Sequence, residues 1–110
     1  MRQAGNTYFI SGQVGVDPIS KKAEKSIDKQ THQALKNLEE VLKNTGLSLG
    51  NLVKTTIFLR NMNDFEAVNK IYSSYLAGIP SARSCVAVSE LPRVSDNPIL
   101  VEIEAVAYKK

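Results

Sequence analysis

Two carboxylates, a guanidinium and a thiol lie within the last third of the sequence at spacings that could support chemistry. Arg83 and Cys85 are two residues apart, and so are Glu102 and Glu104. Side chains two residues apart on a β-strand point to the same face of its sheet. A guanidinium can bind a carboxylate through two parallel hydrogen bonds, and a carboxylate can hold or activate a water molecule. If the four residues lie together, they form either a functional site or a salt-bridged interface.

Each candidate residue also has a purely structural interpretation. Arg83 could simply pair with Glu102 or Glu104 across a subunit contact, and Cys85 could be a small buried apolar residue. The only histidine, His32, falls on the polar side of a predicted helix, where we expect it to be solvated. The sequence therefore offers no Cys-His or Ser-His dyad for nucleophilic catalysis.

The elements that must position these residues follow from hydrophobic periodicity and turn signals. The pattern predicts four strands and two helices in the order β-α-β-α-β-β. The predicted strands are Thr7–Gln13, Leu52–Arg60, Ala82–Val88 and Leu100–Tyr108, and the predicted helices are Ile27–Thr45 and Asp64–Leu76. Two amphipathic helices would cover one face of a mixed sheet, which is an α+β architecture.

Three local signals define the ends of the helices. Ser26 is a suitable N-cap for the first helix, and Gly46 is a suitable residue just beyond its end. Asn63 and Glu66 have the spacing of a capping box at the start of the second helix.

The strand patterns also predict which residues face the helices. In the second strand these are Val53, Thr55, Ile57 and Leu59, and in the last strand they are Val101, Ile103, Ala105 and Ala107. If both of the last two strands turn their apolar faces to the helices, the four candidate residues gather on the other side of the sheet. Phe58 would lie there too, so we expect that side to be buried in a homo-oligomer.

Composition narrows the class of protein. The chain has 110 residues, 43% of them hydrophobic and 23% charged, which fits one globular domain. No apolar run exceeds four residues, which excludes a membrane span. One cysteine and one histidine exclude an internal disulfide and the common Cys/His metal sites, and favour a reducing compartment. A net charge of +3 is weak support for nucleic acid binding.

Several segments together resemble the Rid family, the reactive intermediate deaminases, and most closely its RidA-type enamine/imine deaminases. The segments are Ser11-Gly12-Gln13, Val53–Leu59 (VKTTIFL), Pro80–Val86 (PSARSCV), Leu91-Pro92 and Val101–Ala105 (VEIEA). The resemblance implies a chorismate-mutase-like α+β fold and a homotrimer with the sheets inside and three clefts between subunits. It implies one RidA-like domain over residues 1–110.

The resemblance also implies an activity. Reactive enamines and imines, namely 2-aminoacrylate, 2-iminopropanoate and 2-iminobutanoate, would be hydrolysed to 2-oxo acids and ammonia without a cofactor or a metal. By resemblance, Arg83 binds the substrate carboxylate, Glu102 is catalytic and holds or activates water, and Cys85 contributes mainly through its backbone. Asn69 and Gly12 resemble substrate-binding or supporting positions of the cleft.

The sequence departs from the family pattern in two places. Family members begin with a strand that carries a Gly-Pro-Tyr-Ser-type motif, and its equivalent is missing before Met1. We therefore expect weaker turnover than in a relative that has this strand. The second departure is the segment Val94–Ile99, which looks longer than the usual turn and is expected to be a surface loop.

Two other functions remain open at this stage. One is an RNA-interacting translation inhibitor or ribonuclease, but the lysines are scattered and no basic–aromatic platform is visible, so we do not expect a nucleic acid partner. The other is a ligand-binding or chaperone-like trimer without catalysis. We expect a cytoplasmic location, with the mitochondrial matrix as the alternative, and no association with membranes.

Overall fold

One five-stranded sheet carries two helices in the computed structural model, which describes all residues from Met1 to Lys110. The strands are β1 (Arg2–Ala4), β2 (Thr7–Val14), β3 (Leu52–Leu59), β4 (Ala82–Ala87) and β5 (Val101–Tyr108), and the helices are α1 (Ile27–Asn44) and α2 (Phe65–Leu76). The order across the sheet is β1-β2-β5-β3-β4. Only β3 and β4 are parallel, so the sheet is mixed. The predicted α+β fold is confirmed.

The first strand, β1, was not among the predicted elements. It pairs antiparallel with β2 and is joined to it by Gly5 and Asn6. Gly5 has a φ of +61°, a left-handed conformation that glycine adopts at little cost. A Gly-Asn pair between two extended segments is a hairpin signal, so the sequence did contain a sign of this strand.

Both predicted ends of α1 are confirmed. The Ser26 side chain accepts a hydrogen bond from the backbone N–H of Lys29 at 3.1 Å. Gly46, with a φ of +77°, follows the helix, and the N–H of Leu47 donates to the carbonyl of Leu42 at 2.9 Å. This is the hydrogen-bond pattern of a Schellman motif, and it satisfies carbonyls that the helix end leaves free.

The capping box predicted at Asn63 and Glu66 is wrong. A 3₁₀ turn, Met62–Asp64, precedes α2, and the side chain of Asn61 caps that turn by accepting from the N–H of Asn63 at 2.9 Å. Asp64 then leads directly into α2 and makes no side-chain cap. The capping residue therefore lies two positions earlier than the sequence pattern indicated.

The core lies between the helices and one face of the sheet. Its members from the helices are Ala34, Leu35, Leu38, Leu42, Val68, Tyr72 and Leu76, and those from β3 and β5 include Ile57, Leu59, Val101, Ile103, Ala105 and Ala107. The alternation predicted for β5 is confirmed, and so are the buried positions Thr55, Ile57 and Leu59 of β3.

Val53 does not face the core as predicted. Its side chain is 46% exposed, and Leu52 is buried instead. The register between β3 and β5 shifts at this point, since Leu52 pairs with Ala107 while Lys54 pairs with Val106. Val53 is the extra residue of a bulge, which reverses the faces of the residues before it.

The segment Val94–Ile99 is a loop that is tied to the rest of the chain. The Oγ of Ser95 accepts from the N–H of Ala23, and the Nδ2 of Asn97 donates to the carbonyl of Ala23, both at 2.9 Å. The loop is therefore held against the stretch that leads into α1. No helix of the structure has the length and apolar character needed to span a membrane.

Candidate functional site

Arg83 lies on the outer strand β4 and faces α2. It is paired with Thr55 of β3, whose side chain is fully buried and hydrogen-bonded to the hydroxyl of Tyr72. Since paired residues of neighbouring strands share a face, Arg83 points to the helix side. Its Nη1 donates to the Oδ1 of Asn69, and its Cζ lies 5.1 Å from the ring centroid of Tyr72 and 5.8 Å from that of Phe65.

These contacts orient the guanidinium without neutralising it. Cation–π contacts with two rings hold its plane, and the Asn69 amide takes one of its five N–H groups. Beside it is an open hollow of about 450 Å³, lined also by Ser73, Ile79 and Ser81. Arg83 thus has N–H groups left for a ligand at a surface hollow.

Cys85 lies next to Arg83 on the same face. It is paired with Ile57, is half-buried and contacts the core. Burial raises the pKa of its thiol, and the neighbouring Arg83 offsets this only in part. The side chain is therefore a protonated thiol near neutral pH, which is a poor nucleophile. The side chain therefore behaves as a small apolar group packed against the core.

Glu102 lies on the opposite face of the sheet, which carries no helix. It is paired with Phe58 on one side and with Val14 on the other. Its side chain lies over Gly12, because a Cβ on Gly12 would be 2.6 Å from the Cδ of Glu102. The close approach occurs at a bulge in β2, where the register shifts between Ile10 and Gln13. Gly12 and Glu102 are therefore in direct contact on this face.

The surroundings of Glu102 favour its protonated form. Burial raises the pKa of its carboxyl, and the nearby Glu104 raises it further because like charges repel. A carboxyl with a raised pKa can exchange a proton closer to neutral pH than an ordinary glutamate. Glu102 is suited to move a proton at this position.

The prediction that all four candidate residues share the face without helices is wrong. Arg83 and Cys85 face α2, whereas Glu102 and Glu104 face away from both helices. The strand β4 has weak alternation, with small residues on both faces, and Arg83 is drawn to the aromatic side chains of α2. Of the residues predicted on the open face, Phe58 is there and is half-buried.

The site thus consists of two half-sites on opposite faces of one sheet. The arginine half-site contains Phe65, Asn69, Tyr72, Arg83 and Cys85. The glutamate half-site contains Gly12, Glu102 and Glu104. One chain alone does not bring the guanidinium and the Glu102 carboxylate onto the same face.

His32 is solvated, as the sequence indicated, and Gln13 bonds to the backbone. His32 is exposed, and its Nδ1 lies 3.1 Å from the hydroxyl of Tyr75 on α2, away from both half-sites. The Nε2 of Gln13, at the end of β2, donates to the backbone carbonyl of Ser11 at 3.0 Å.

The aromatic support of Arg83 was not predicted. Phe65 and Tyr72 lie on the face of α2 that packs against the core. With Asn69, they occupy positions i, i+4 and i+7 of the helix, which places all three on one side of it. The spacing of these three residues on α2, together with the single arginine of β4, is the sequence pattern that could have indicated their contact with Arg83.

Comparison with known proteins identifies the family of this chain. The model of the family described as endoribonuclease L-PSP matches residues 1–109. The chain belongs to this family. A 2-iminobutanoate/2-iminopropanoate deaminase of Mus musculus is 47% identical over 108 residues, which are 97% of this chain and 77% of that protein. The RutC family protein PH0854 of Pyrococcus horikoshii is 41% identical over 109 residues, 98% of this chain and 83% of that protein.

Solved structures agree in fold. YyfA from Yersinia pestis, described as a member of the conserved Rid protein family, superposes with a TM-score of 0.90 at 41% identity, over 97% of this chain and 83% of that one. TdcF of E. coli with bound serine superposes with a TM-score of 0.89 at 30% identity, over 99% of this chain and 85% of that one. The resemblance to the Rid family is thus confirmed.

Proposed function

We propose that this protein hydrolyses short 2-imino acids and their enamine tautomers to 2-oxo acids and ammonia. The observation that carries the proposal is the pair of half-sites. One holds an oriented arginine with N–H groups to spare, and the other holds a glutamate whose pKa is raised. Relatives named as 2-iminobutanoate/2-iminopropanoate deaminases support this choice of substrate.

The proposed reaction uses elementary acid–base steps. The Arg83 guanidinium binds the substrate carboxylate through two parallel hydrogen bonds. Glu102 accepts a proton from water as the water oxygen attacks the carbon of the protonated imine, which gives a neutral tetrahedral carbinolamine. Glu102 then returns that proton to nitrogen. As the C–N bond breaks and ammonia leaves, Glu102 accepts the proton of the hydroxyl group, so that the carbonyl forms. General acid–base help of this kind accelerates a reaction by about 10²–10⁴-fold. No electrons are transferred, and the proposal includes no cofactor.

We propose that the complete site lies between two copies of the chain in a homotrimer. The open face of the sheet carries Phe9, Val86 and Tyr108, which are 48%, 43% and 45% exposed. A patch of large apolar side chains is a typical contact surface between subunits. If a second copy covers this face, the arginine half-site of one copy and the glutamate half-site of the other can meet. The number of three comes from the family resemblance.

The size of the proposed substrate fits the bound ligand of one relative. TdcF has been solved with serine, a three-carbon amino acid. A 2-imino acid of three or four carbons has the same α-carboxylate next to a nitrogen-bearing carbon. The carboxylate would occupy the arginine half-site, and the nitrogen would face Glu102.

The cytoplasmic location of this protein remains a prediction from its sequence.

RNA cleavage is a second candidate, because the matched family is described as endoribonuclease L-PSP. The open face does carry Phe9 and Lys54, but Glu102 and Glu104 lie beside them on the same face. Two carboxylates oppose the phosphate backbone that supplies most of the affinity for nucleic acid. We expect RNA binding to be absent or insensitive to salt, measured by titration with a single-stranded RNA at two salt concentrations.

The activity is tested with a threonine dehydratase acting on serine. The dehydratase releases 2-aminoacrylate, and semicarbazide competes with this protein for the imine. We expect the protein to accelerate pyruvate release and to reduce semicarbazone formation. No acceleration at high protein concentration would refute the enzymatic function, and binding of small carboxylates without turnover would favour the non-catalytic trimer.

The shared site is tested by mixing two inactive variants. Arg83→Ala and Glu102→Gln are each expected to be inactive. After co-refolding in equal amounts, each site draws its arginine and its glutamate independently, so about a quarter of the sites are intact. We therefore expect about a quarter of the wild-type activity. No recovery in mixed trimers would refute a site shared between copies.

A further inference from the structure

A fully buried glutamine, Gln30, lies in the first turn of α1 and makes three hydrogen bonds with its side chain. Its Nε2 donates to the carbonyl of Glu24 at 2.9 Å and to that of Pro98 at 2.8 Å. Its Oε1 accepts from the N–H of Leu100 at 2.8 Å. The amide thus joins the start of α1 to the stretch just before the helix and to Pro98 and Leu100, which are distant in the sequence.

Gln30 lies where the two strands of the glutamate half-site meet α1. Leu100 directly precedes β5 and is two residues before Glu102. On the other strand, β2 ends at Val14, the partner of Glu102, and Gly15 follows. A Cβ on Gly15 would be 2.4 Å from the Cα of Gln30, so the backbone after β2 is in direct contact with this part of the helix.

A merely space-filling residue would not replace this amide. An apolar side chain of the same size would leave the Leu100 N–H and the two carbonyls without these partners in a partly buried region. No buried side-chain nitrogen or oxygen lacks a partner in this structure. The position of the first residues of β5 is therefore fixed by hydrogen bonds to one side chain rather than by the strand ladder alone.

We propose that Gln30 is a positioning residue, whose amide fixes the start of β5 and thereby holds the Glu102 carboxylate over Gly12. The inference rests on the proposed function, since it assigns Gln30 a role in that reaction through Glu102. Gln30 does not touch the arginine half-site, which lies on the other face of the sheet. Loss of its hydrogen bonds should therefore affect the chemical step and spare substrate binding.

The test compares Gln30→Met with Asn97→Ala. Methionine has nearly the same length as glutamine and makes none of its three hydrogen bonds. Asn97→Ala removes one of the two hydrogen bonds between the same loop and Ala23 but leaves the Leu100 N–H bonded to Gln30. We expect Gln30→Met to lower kcat by up to about 100-fold with KM unchanged, because a misplacement of about 1 Å can cost that much. Asn97→Ala should keep both constants.

A second readout is independent of activity. The pKa of the Glu102 carboxyl is measured by ¹³C NMR titration, with the signal assigned by its absence in Glu102→Gln. Gln30→Met should lower this pKa towards the ordinary glutamate value, because a carboxyl that leaves its place over Gly12 gains solvent. If the wild-type protein lacks deaminase activity, the proposed function fails, and the titration still decides the role of Gln30.

Folded Gln30→Met with the kcat and the Glu102 pKa of the wild type would overturn the proposal, even if its melting temperature falls. If Gln30→Met does not fold, Gln30→Asn takes its place. Asparagine keeps a neutral amide but is one methylene shorter, so its amide does not reach the Pro98 carbonyl and the Leu100 N–H from the same backbone position. The same loss of kcat and fall in the Glu102 pKa support the proposal, and wild-type values of both overturn it.

Discussion

The Gly12→Ala substitution tests the glutamate half-site most directly. The new Cβ would lie 2.6 Å from the Cδ and 2.7 Å from the Oε2 of Glu102. The backbone of Gly12 does not have a positive φ, so alanine is compatible with its conformation. The conflict is therefore between the new methyl group and the end of a flexible side chain, and Glu102 relieves it by moving away.

The size of the displacement follows from the contact distances. To reach an ordinary separation of 3.4 Å from the new Cβ, the Glu102 carboxyl carbon must retreat by about 0.8 Å. A misplacement of about 1 Å costs on the order of 10²-fold in rate. Stability should change little, because a glycine-to-alanine change at a compatible position restricts the unfolded chain and contributes about 0.4–1 kcal/mol in favour of folding. We expect kcat to fall by roughly 10²-fold in a protein that still folds.

The measurement is the rate of pyruvate release in the coupled dehydratase assay, together with thermal unfolding. The matched control is Gly50→Ala, where the nearest atom to a new Cβ is the Ser48 Oγ at 3.5 Å, an ordinary contact far from Glu102. Wild-type activity in folded Gly12→Ala would show that the position of Glu102 over Gly12 is unimportant, and equal losses in both variants would show a general effect of the substitution.

Three further predictions concern the other site residues. Arg83→Lys keeps the charge but loses the planar two-pronged donor, so deaminase activity should fall about 10²-fold, with a stability loss of about 1 kcal/mol or less. The control Arg60→Lys should change neither the activity nor the stability. Near-wild-type activity in folded Arg83→Lys would show that the role of Arg83 is structural. Glu102→Gln should abolish activity yet raise the melting temperature at pH 7, because the raised pKa of the Glu102 carboxyl means that its ionisation opposes folding. The gain in melting temperature should vanish below pH 4.5, the ordinary glutamate pKa, where the carboxyl is protonated in both the folded and the unfolded chain. A lower melting temperature of Glu102→Gln at pH 7 would contradict this prediction. Cys85→Ser should keep most of the activity. The native Cys85 thiol should react with iodoacetamide more slowly than free cysteine, because burial raises its pKa. Fast alkylation would contradict the conclusion that Cys85 is a protonated, unreactive thiol.

The sequence predicted those features that depend on strong local patterns. The cap at Ser26, the Schellman end at Gly46 and the alternating faces of β5 are all confirmed. Each depends on residues that are close in the sequence and have few alternative conformations. The family resemblance assigned Gly12 and Glu102 to one cleft, but nothing in the spacing of these two residues predicted the contact between them.

The face of β4 could not be predicted in the same way. Its residues Ala82–Ala87 are mostly small, so either face could have been turned to the helices. The choice is made by tertiary contacts, namely the two aromatic rings and the Asn69 amide that receive Arg83. The preference of a residue for one face of a strand cannot be derived from the residue alone where packing against neighbouring elements decides which face is buried.

Gln30 is a second feature that the sequence concealed. A glutamine at the edge of the apolar stripe of α1 is usually solvated, because buried polar groups need partners. Here the partners are backbone groups of Glu24, Pro98 and Leu100, which only the folded chain brings together. The loop Val94–Ile99 is explained by the same contacts, since it brings the carbonyl of Pro98 to the amide.

The separation of Arg83 from Glu102 within one chain has a chemical consequence. If the two residues lay side by side, they would form an ion pair, which would occupy the guanidinium and lower the pKa of the glutamate. On opposite faces of the sheet, Arg83 keeps N–H groups for an anionic ligand, and Glu102 keeps a pKa raised by burial and by Glu104. A second copy that covers the open face would bring the Arg83 of one copy and the Glu102 of the other to one small acid. The carboxylate of that acid, rather than Glu102, would then pair with Arg83. The arrangement would thus let the glutamate hold or move a proton while the arginine binds the substrate.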